Sequence, residues 1–147
     1  MEGKVVAVCR SVKKGTVKKE INKGKIIEGF GLDGDAHGGD WHRQISLLAK
    51  ESIEKFKNKV KENYELNFGD FAENITTQGV KLHDHPVGSK IEIGKKVVLE
   101  ITQIGKECHH DCEIYQEIGN CIMPKEGIFA KVLNGGEIEV GDSVVIK

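Results

Sequence analysis

The sequence predicts a mainly β fold: a closed or partly closed β-barrel with a few short helices. Three observations predict it. Eighteen glycines stand against two prolines in 147 residues, and short β-branched runs lie between the glycines, the pattern of strands joined by tight turns. Only one segment carries a clear helical period. So few helical crossovers argue against a doubly wound parallel sheet, and closing the sheet removes the edges that so many strands would otherwise expose.

Taken in order, the predicted strands are KVVAVC (4–9), KIIEGF (25–30), QISLLA (44–49), AENITT (72–77), SKIEI (89–93), KVVLEITQI (96–104), GIFAKVL (127–133), EIEV (137–140) and SVVIK (143–147). The helix is AKESIEKFKNKVKENY, starting near Ala49, where Ile53, Phe56 and Val60 recur every three or four residues and share one face against the sheet. An internal repeat sets GSKIEIGKKVVL (88–99) beside GGEIEVGDSVVI (135–146), matching Ile91 with Ile138, Gly94 with Gly141 and Val97 with Val144. Both copies read strand, glycine turn, strand. They are either a duplicated unit of one barrel or two hairpins with the same turn chemistry.

A chain of this length fits one domain, 1–147. With 22 Lys and Arg against 23 Asp and Glu, its net field gives no reason to expect nucleic acid or an anionic membrane as partner. The apolar run before Arg10 is too short for a signal-peptide core, and no later run approaches a membrane span, so a soluble, cytoplasmic protein is expected. In that reducing setting the four cysteines read as free thiols or metal ligands rather than crosslinks.

Four stretches could carry chemistry. GFGLDGDAHGGDWHRQ (29–44) combines glycines with Asp35, His37, Trp41, His42 and Arg43. Glycine-rich backbone can approach a ligand closely, and these side chains can meet phosphate, a ring nitrogen or a metal; no G-K-[ST] follows, which excludes a P-loop. The alternative is a self-bonded loop in which the aspartates close turns and Trp41 plugs the barrel end. RSVKKGTVKK (10–19), with Arg10, Lys13, Lys14, Lys18 and Lys19, is a solvated loop or a clamp for a phosphorylated small molecule. FAENITTQG (71–79) offers Glu73 and Asn74, either to a ligand's amide edge or to neighbouring backbone.

The densest stretch is GKECHHDCEIYQEIGNC (105–121), which holds Cys108, Cys112, Cys121, His109 and His110. The Cys108 and Cys112 spacing permits half of a zinc site, with Cys121 and a histidine completing it, although no second ligand pair lies elsewhere. The other reading is a reactive thiolate, since Lys106, His109 and His110 flank Cys108 and lower a thiol pKa.

Jointly GLDGDAHGG, WHRQISLL, FAENITTQG, QIGKECHHDC and CIMPKEGIFAKVLNGGEIEVGD resemble the MOSC domain family, named for the C-terminal domain of molybdenum cofactor sulfurases and found also as small stand-alone bacterial proteins. The resemblance spans nearly the whole chain. It implies a β-barrel, binding of the molybdenum cofactor or a sulfurated form of it without pyridoxal phosphate, and a cysteine that carries sulfur as a persulfide or ligates molybdenum. That cysteine corresponds to Cys108, with Cys112 the alternative because the relatives' spacing differs. Asp35, His37, Trp41, His42, Arg43, Glu73 and Asn74 become candidates for the cofactor pocket, with Lys14 of the basic run for its phosphate. Some relatives reduce N-hydroxylated compounds, which here would need a separate electron donor; a sulfur donor is the other implied partner. A zinc-stabilised, non-catalytic binding module is the reading from another class.

Overall fold

The computed structural model describes residues 2–13, 18–56, 68–69, 71, 73–105 and 127–147. Its framework is a closed β-barrel. The strands are β1 (Glu2–Arg10), β2 (Lys19–Glu20), β3 (Lys23–Ile27), β4 (Gly31–Leu32), β5 (Ile45–Ala49), β6 (Ile75–Gln78), β7 (Lys90–Ile93), β8 (Val97–Ile104), β9 (Ile128–Asn134), β10 (Gly136–Glu139) and β11 (Ser143–Ile146), with one α-helix, α1 (Lys50–Phe56), and a 3-10 turn (Leu82–Asp84) among the described residues. The sheet runs β11-β7-β8-β9-β5-β6-β1-β2, and pairing of β11 with β1 closes seven of these strands into the barrel. All pairs are antiparallel except β5 with β6, which α1 connects in part. A second sheet, β10-β3-β4, lies beside it.

Alternation explains the closure. Ile45, Leu47 and Ala49 of β5, Ile91 and Ile93 of β7, Leu99 and Ile101 of β8, and Ile128, Ala130 and Val132 of β9 all enter one aliphatic cluster, as a period of two requires when one face of each strand is buried. Closure leaves no free edge on those seven strands.

The mainly β, barrel-type fold is as the sequence predicts, and all nine predicted strands match in position to within about the usual boundary error of a few residues. Three differences have physical reasons. β6 begins at Ile75 rather than at residue 72, because Asn74 turns its side chain to Ser46 and Cys9. The two-residue strands β2 and β4 are too short to show a period. The repeat also diverges: β7 and β8 pair as a hairpin, but β10 pairs with β3 while β11 pairs with β7 and β1. Val5 intervenes at the second turn, where its backbone donates to Asp142 and accepts from Gly141, both at 2.8 Å. A common register survives, since Ile93 lies opposite Val97 on one side and its repeat counterpart Val144 on the other.

Helix α1 carries Ile53 to the core at 5% exposure; Val60 lies outside the described residues. No described helix is long and apolar enough to cross a membrane.

Candidate functional site

Those predicted site residues that the structure describes gather on the outer face of the barrel. On β5, Ser46 points away from the aliphatic cluster that Ile45 and Leu47 join. Its cross-strand neighbour on β9 is Phe129, and Asn74 beside it caps β6. Asp35 and Lys18 reach Asn74 and Glu73 here, and Arg43 reaches Phe129 of β9, so polar side chains are buried outside the aliphatic cluster.

Asn74 is fully buried. Its Oδ1 accepts the Ser46 backbone N–H at 2.9 Å, and its Nδ2 donates to the Cys9 carbonyl at 3.1 Å, so one amide ties β1, β5 and β6 together. Glu73, also fully buried, accepts the Phe71 N–H at 3.1 Å and lies 3.5 Å from the Thr76 hydroxyl. The Glu73 bonds are local, whereas those of Asn74 reach across to β5 and β1. Cys9 is buried on the same face.

Above them stands a buried ion pair. Lys18 Nζ donates to Asp35 Oδ1 at 2.6 Å, with both side chains at 0% exposure. Asp35 Oδ1 also accepts the Ser11 N–H at 3.1 Å and Oδ2 the His37 N–H at 3.2 Å. Lys18 Nζ lies 2.9 Å from His37 Nδ1. Burial pushes the lysine below its ordinary value against the opposing pull of Asp35 and Glu73. Burial also raises the Asp35 carboxyl, but the Lys18 charge and hydrogen bond, the Ser11 N–H and Asn74 together outweigh it and hold the carboxyl below the ordinary aspartate range. Gly69 makes this approach possible: its φ is +93°, and a Cβ there would lie 2.1 Å from the Lys18 carbonyl oxygen.

The loop then turns outward. Trp41 Nε1–H donates to the His37 carbonyl at 2.7 Å, and the Arg43 guanidinium lies 4.7 Å from the Trp41 ring centroid and 5.5 Å from that of Phe129. Its Nε is buried with no hydrogen-bond acceptor among the described residues. His42 Nε2 lies 2.8 Å from Gln103 Oε1, and the Thr102 hydroxyl donates to the His42 carbonyl.

Gln103 connects this shelf to the cysteine-rich stretch. Its Nε2 donates to the Gly105 carbonyl at 2.7 Å, and the Gly105 N–H donates to the Gly127 carbonyl at 2.7 Å. The chain therefore leaves at Gly105 and returns at Gly127 beside His42. Cys108, Cys112, Cys121, Lys106, His109, His110 and Lys14 lie outside the described residues. Among the described residues no group of three or more His, Cys, Asp or Glu side chains is placed to hold a metal ion.

The structure thus brings Asp35, His37, Trp41, His42, Arg43, Glu73 and Asn74 into one neighbourhood and divides them by burial. Asp35, Glu73 and Asn74 sit inside the packing; His37, Trp41, His42 and Arg43 are partly or fully accessible. Sequence reasoning overlooked Ser46, Gln103 and Phe129 as site residues, and named Lys18 only as one of five cations in the basic run. Lys18 stands among lysines that look alike in sequence, and nothing local distinguishes the one that folds inward.

The MOSC domain family model matches residues 33–145. No curated protein sequence matches the chain. Among solved structures, YuaD from Bacillus subtilis superposes with a TM-score of 0.80 at 19% identity, covering 99% of this chain and 96% of that one. YiiM from Escherichia coli gives 0.72 at 17% identity, covering 100% and 70%, and YiiM from Geobacillus stearothermophilus 0.67 at 18%, covering 99% and 73%. At these identities the likeness is one of fold.

Proposed function

This chain belongs to the MOSC domain family, and we propose that it binds the molybdenum cofactor, or a sulfurated form of it, on the outer shelf between the Asp35–Arg43 loop and the Gly105–Gly127 neck. In this reading a thiolate of the 106–126 segment, Cys108 or Cys112, carries sulfur or ligates molybdenum.

The observation that supports it most is Arg43. Its guanidinium is stacked on Trp41 and near Phe129, yet its buried Nε has no acceptor among the described residues. A buried guanidinium donor without an acceptor is costly, and an anionic oxygen is the partner that its planar fork suits. The residues present therefore fit a phosphorylated, ring-bearing ligand: Arg43 takes the anion, and Trp41 and Phe129 keep water from it. His42, held by Gln103, orders the neck from which the cysteine segment departs. Asp35, Glu73 and Asn74 act as braces beneath the shelf, and Lys14 of the basic run would add charge toward a phosphate. When bound, the group would supply a dithiolene-held molybdenum that accepts a soft thiolate. Sulfur or electrons would come from a separate protein.

The test is purification without air from a host that makes the cofactor, followed by molybdenum and pterin analysis of wild type, Arg43→Ala, Cys108→Ala and Cys112→Ala. The wild type should hold both, Arg43→Ala should hold less by about tenfold, as the loss of a charge-assisted contact predicts, and one cysteine variant should lose molybdenum or labile sulfur. Wild type free of both molybdenum and pterin, and indistinguishable from its cysteine variants, overturns the reading.

A further inference from the structure

We propose that Gln103 holds His42 with its proton on Nε2, so that His42 Nδ1 stands as a hydrogen-bond acceptor beside the Arg43 guanidinium, and that the two select an oxyanion carrying its own proton, such as hydrogen phosphate, over one that carries none, such as sulfate. This selectivity rests on the anion role given to Arg43 above, and not on which larger ligand carries the anion.

The Gly105 carbonyl can only accept, so the end of the Gln103 amide that lies 2.7 Å from it is the NH2 end. The oxygen end, Oε1, therefore faces His42 Nε2 at 2.8 Å. An oxygen that only accepts requires a ring nitrogen that donates, which places the His42 proton on Nε2. In the neutral ring Nδ1 then carries the lone pair. The backbone of His42 is held by the same strand, because the Thr102 hydroxyl donates to its carbonyl. His42 is exposed, so its ring is within reach of a ligand. Gln103 is thus a positioning residue that acts through His42.

Arg43 stands on the same shelf. Gln103 and Phe129 are directly opposite one another in the pairing of β8 with β9, and residues so placed share one face of a sheet. His42 is bonded to the first, and the Arg43 guanidinium lies 5.5 Å from the ring of the second. Trp41 adjoins both: its ring centroid is 5.9 Å from that of His42, edge to face, and 4.7 Å from the guanidinium. The buried Arg43 Nε has no acceptor among the described residues. A guanidinium offers donors alone, so by itself it does not distinguish two oxyanions of equal charge and shape. An imidazole lone pair beside it does. A P–OH group donates to Nδ1, whereas a sulfate oxygen sets lone pair against lone pair and leaves that acceptor unpaired.

The experiment titrates the full chain, expressed in a host that makes no molybdenum cofactor, with sodium phosphate and with sodium sulfate at matched ionic strength and mildly alkaline pH. There both anions are dianions and they differ by one O–H. Trp41 is the only tryptophan, so its fluorescence reports the subsite. Phosphate should bind at least about tenfold more tightly than sulfate, the size expected of one hydrogen bond to a charged group. Arg43→Met should weaken both anions by about tenfold or more. His42→Leu should make the two affinities equal by weakening phosphate alone, and Gln103→Leu should narrow their ratio in the same direction. Long-range proton–nitrogen NMR correlation of histidine-labelled protein, with His42 assigned by the signals lost in His42→Leu, should show the Nε2–H form, and its Nδ1 resonance should move on addition of phosphate but not of sulfate. Equal affinity for the two anions in wild type, tighter binding of sulfate, no binding of either, a ratio unchanged in His42→Leu, or a His42 ring protonated at Nδ1 overturns the proposal. A ratio unchanged in Gln103→Leu overturns the role of Gln103. Wild type from a cofactor-producing host that lacks molybdenum and pterin overturns the functional reading instead and leaves the selectivity standing.

Discussion

Ile45, Leu47 and Ala49 turn one face of β5 into the barrel, and Ser46 turns the other toward Asn74, the buried Lys18–Asp35 pair and the loop that ends in Arg43. The two faces belong to one strand but are held by different physics. Inside, contacts are aliphatic and non-directional, so shape and volume set the stability and a methylene more or less is what matters. Outside, the cost of leaving a buried polar group unpaired sets the geometry, so each donor has to find its acceptor. Removal of a carbon is therefore graded on the inner face, whereas removal of one partner on the outer face leaves a charge or an amide stranded. The outer face is correspondingly where directional chemistry can be built.

Variants can break this comparison, and the largest effect is expected for Asp35→Ala. It strands the Lys18 charge at full burial and should cost about 3–5 kcal/mol, read from denaturant midpoints; Asp35→Asn, which keeps an acceptor, should cost less. Leu99→Ala, at 0% exposure inside the barrel, should cost about 2–5 kcal/mol. It should leave the acid-pH loss of stability that Asp35 causes unchanged, and this separates the two faces. Asn74→Ala frees the Ser46 N–H and the Cys9 carbonyl and should cost about 1–3 kcal/mol by the same measurement.

The pH dependence sharpens the contrast further. The Asp35 carboxyl binds its proton less readily in the folded chain than in the unfolded one. Its contribution is therefore present above the ordinary aspartate range and is lost as pH falls through the folded value. Thermal unfolding of wild type against Asp35→Asn across acid pH should show that slope flattened in the variant. The smallest effect belongs to the exposed pair of Lys147 and Glu92, where Lys147→Ala should change stability by at most about 1 kcal/mol.

Much of the inner face was legible in advance. The alternation of Ile91, Ile93, Val97 and Leu99 predicted strands, and it is local information that the chain carries whatever it packs against. The outer face was legible only as composition. Asp35, His37, Trp41, His42 and Arg43 fall close together in sequence and were recognisable as a candidate loop. Which of them would be buried was not, because burial depends on Lys18, Ser46, Phe129 and Gln103 arriving from distant segments. The repeat shows the same limit: two matching copies became a hairpin in one case and a link between sheets in the other, since Val5 supplied the second turn with a different backbone partner.

By itself, then, the sequence determined the β class, most strand positions, the resemblance to the family and the residues from which a site could be drawn, because periodicity and turn chemistry act between near neighbours. Only the tertiary structure decided that the polar residues lie on the outside of the barrel wall, that one lysine of a basic run is buried against Asp35 and His37, and that the neck of the cysteine segment stands beside His42. Those outcomes depend on desolvation and on pairing across long sequence separations, and neither is encoded in any single stretch of the chain.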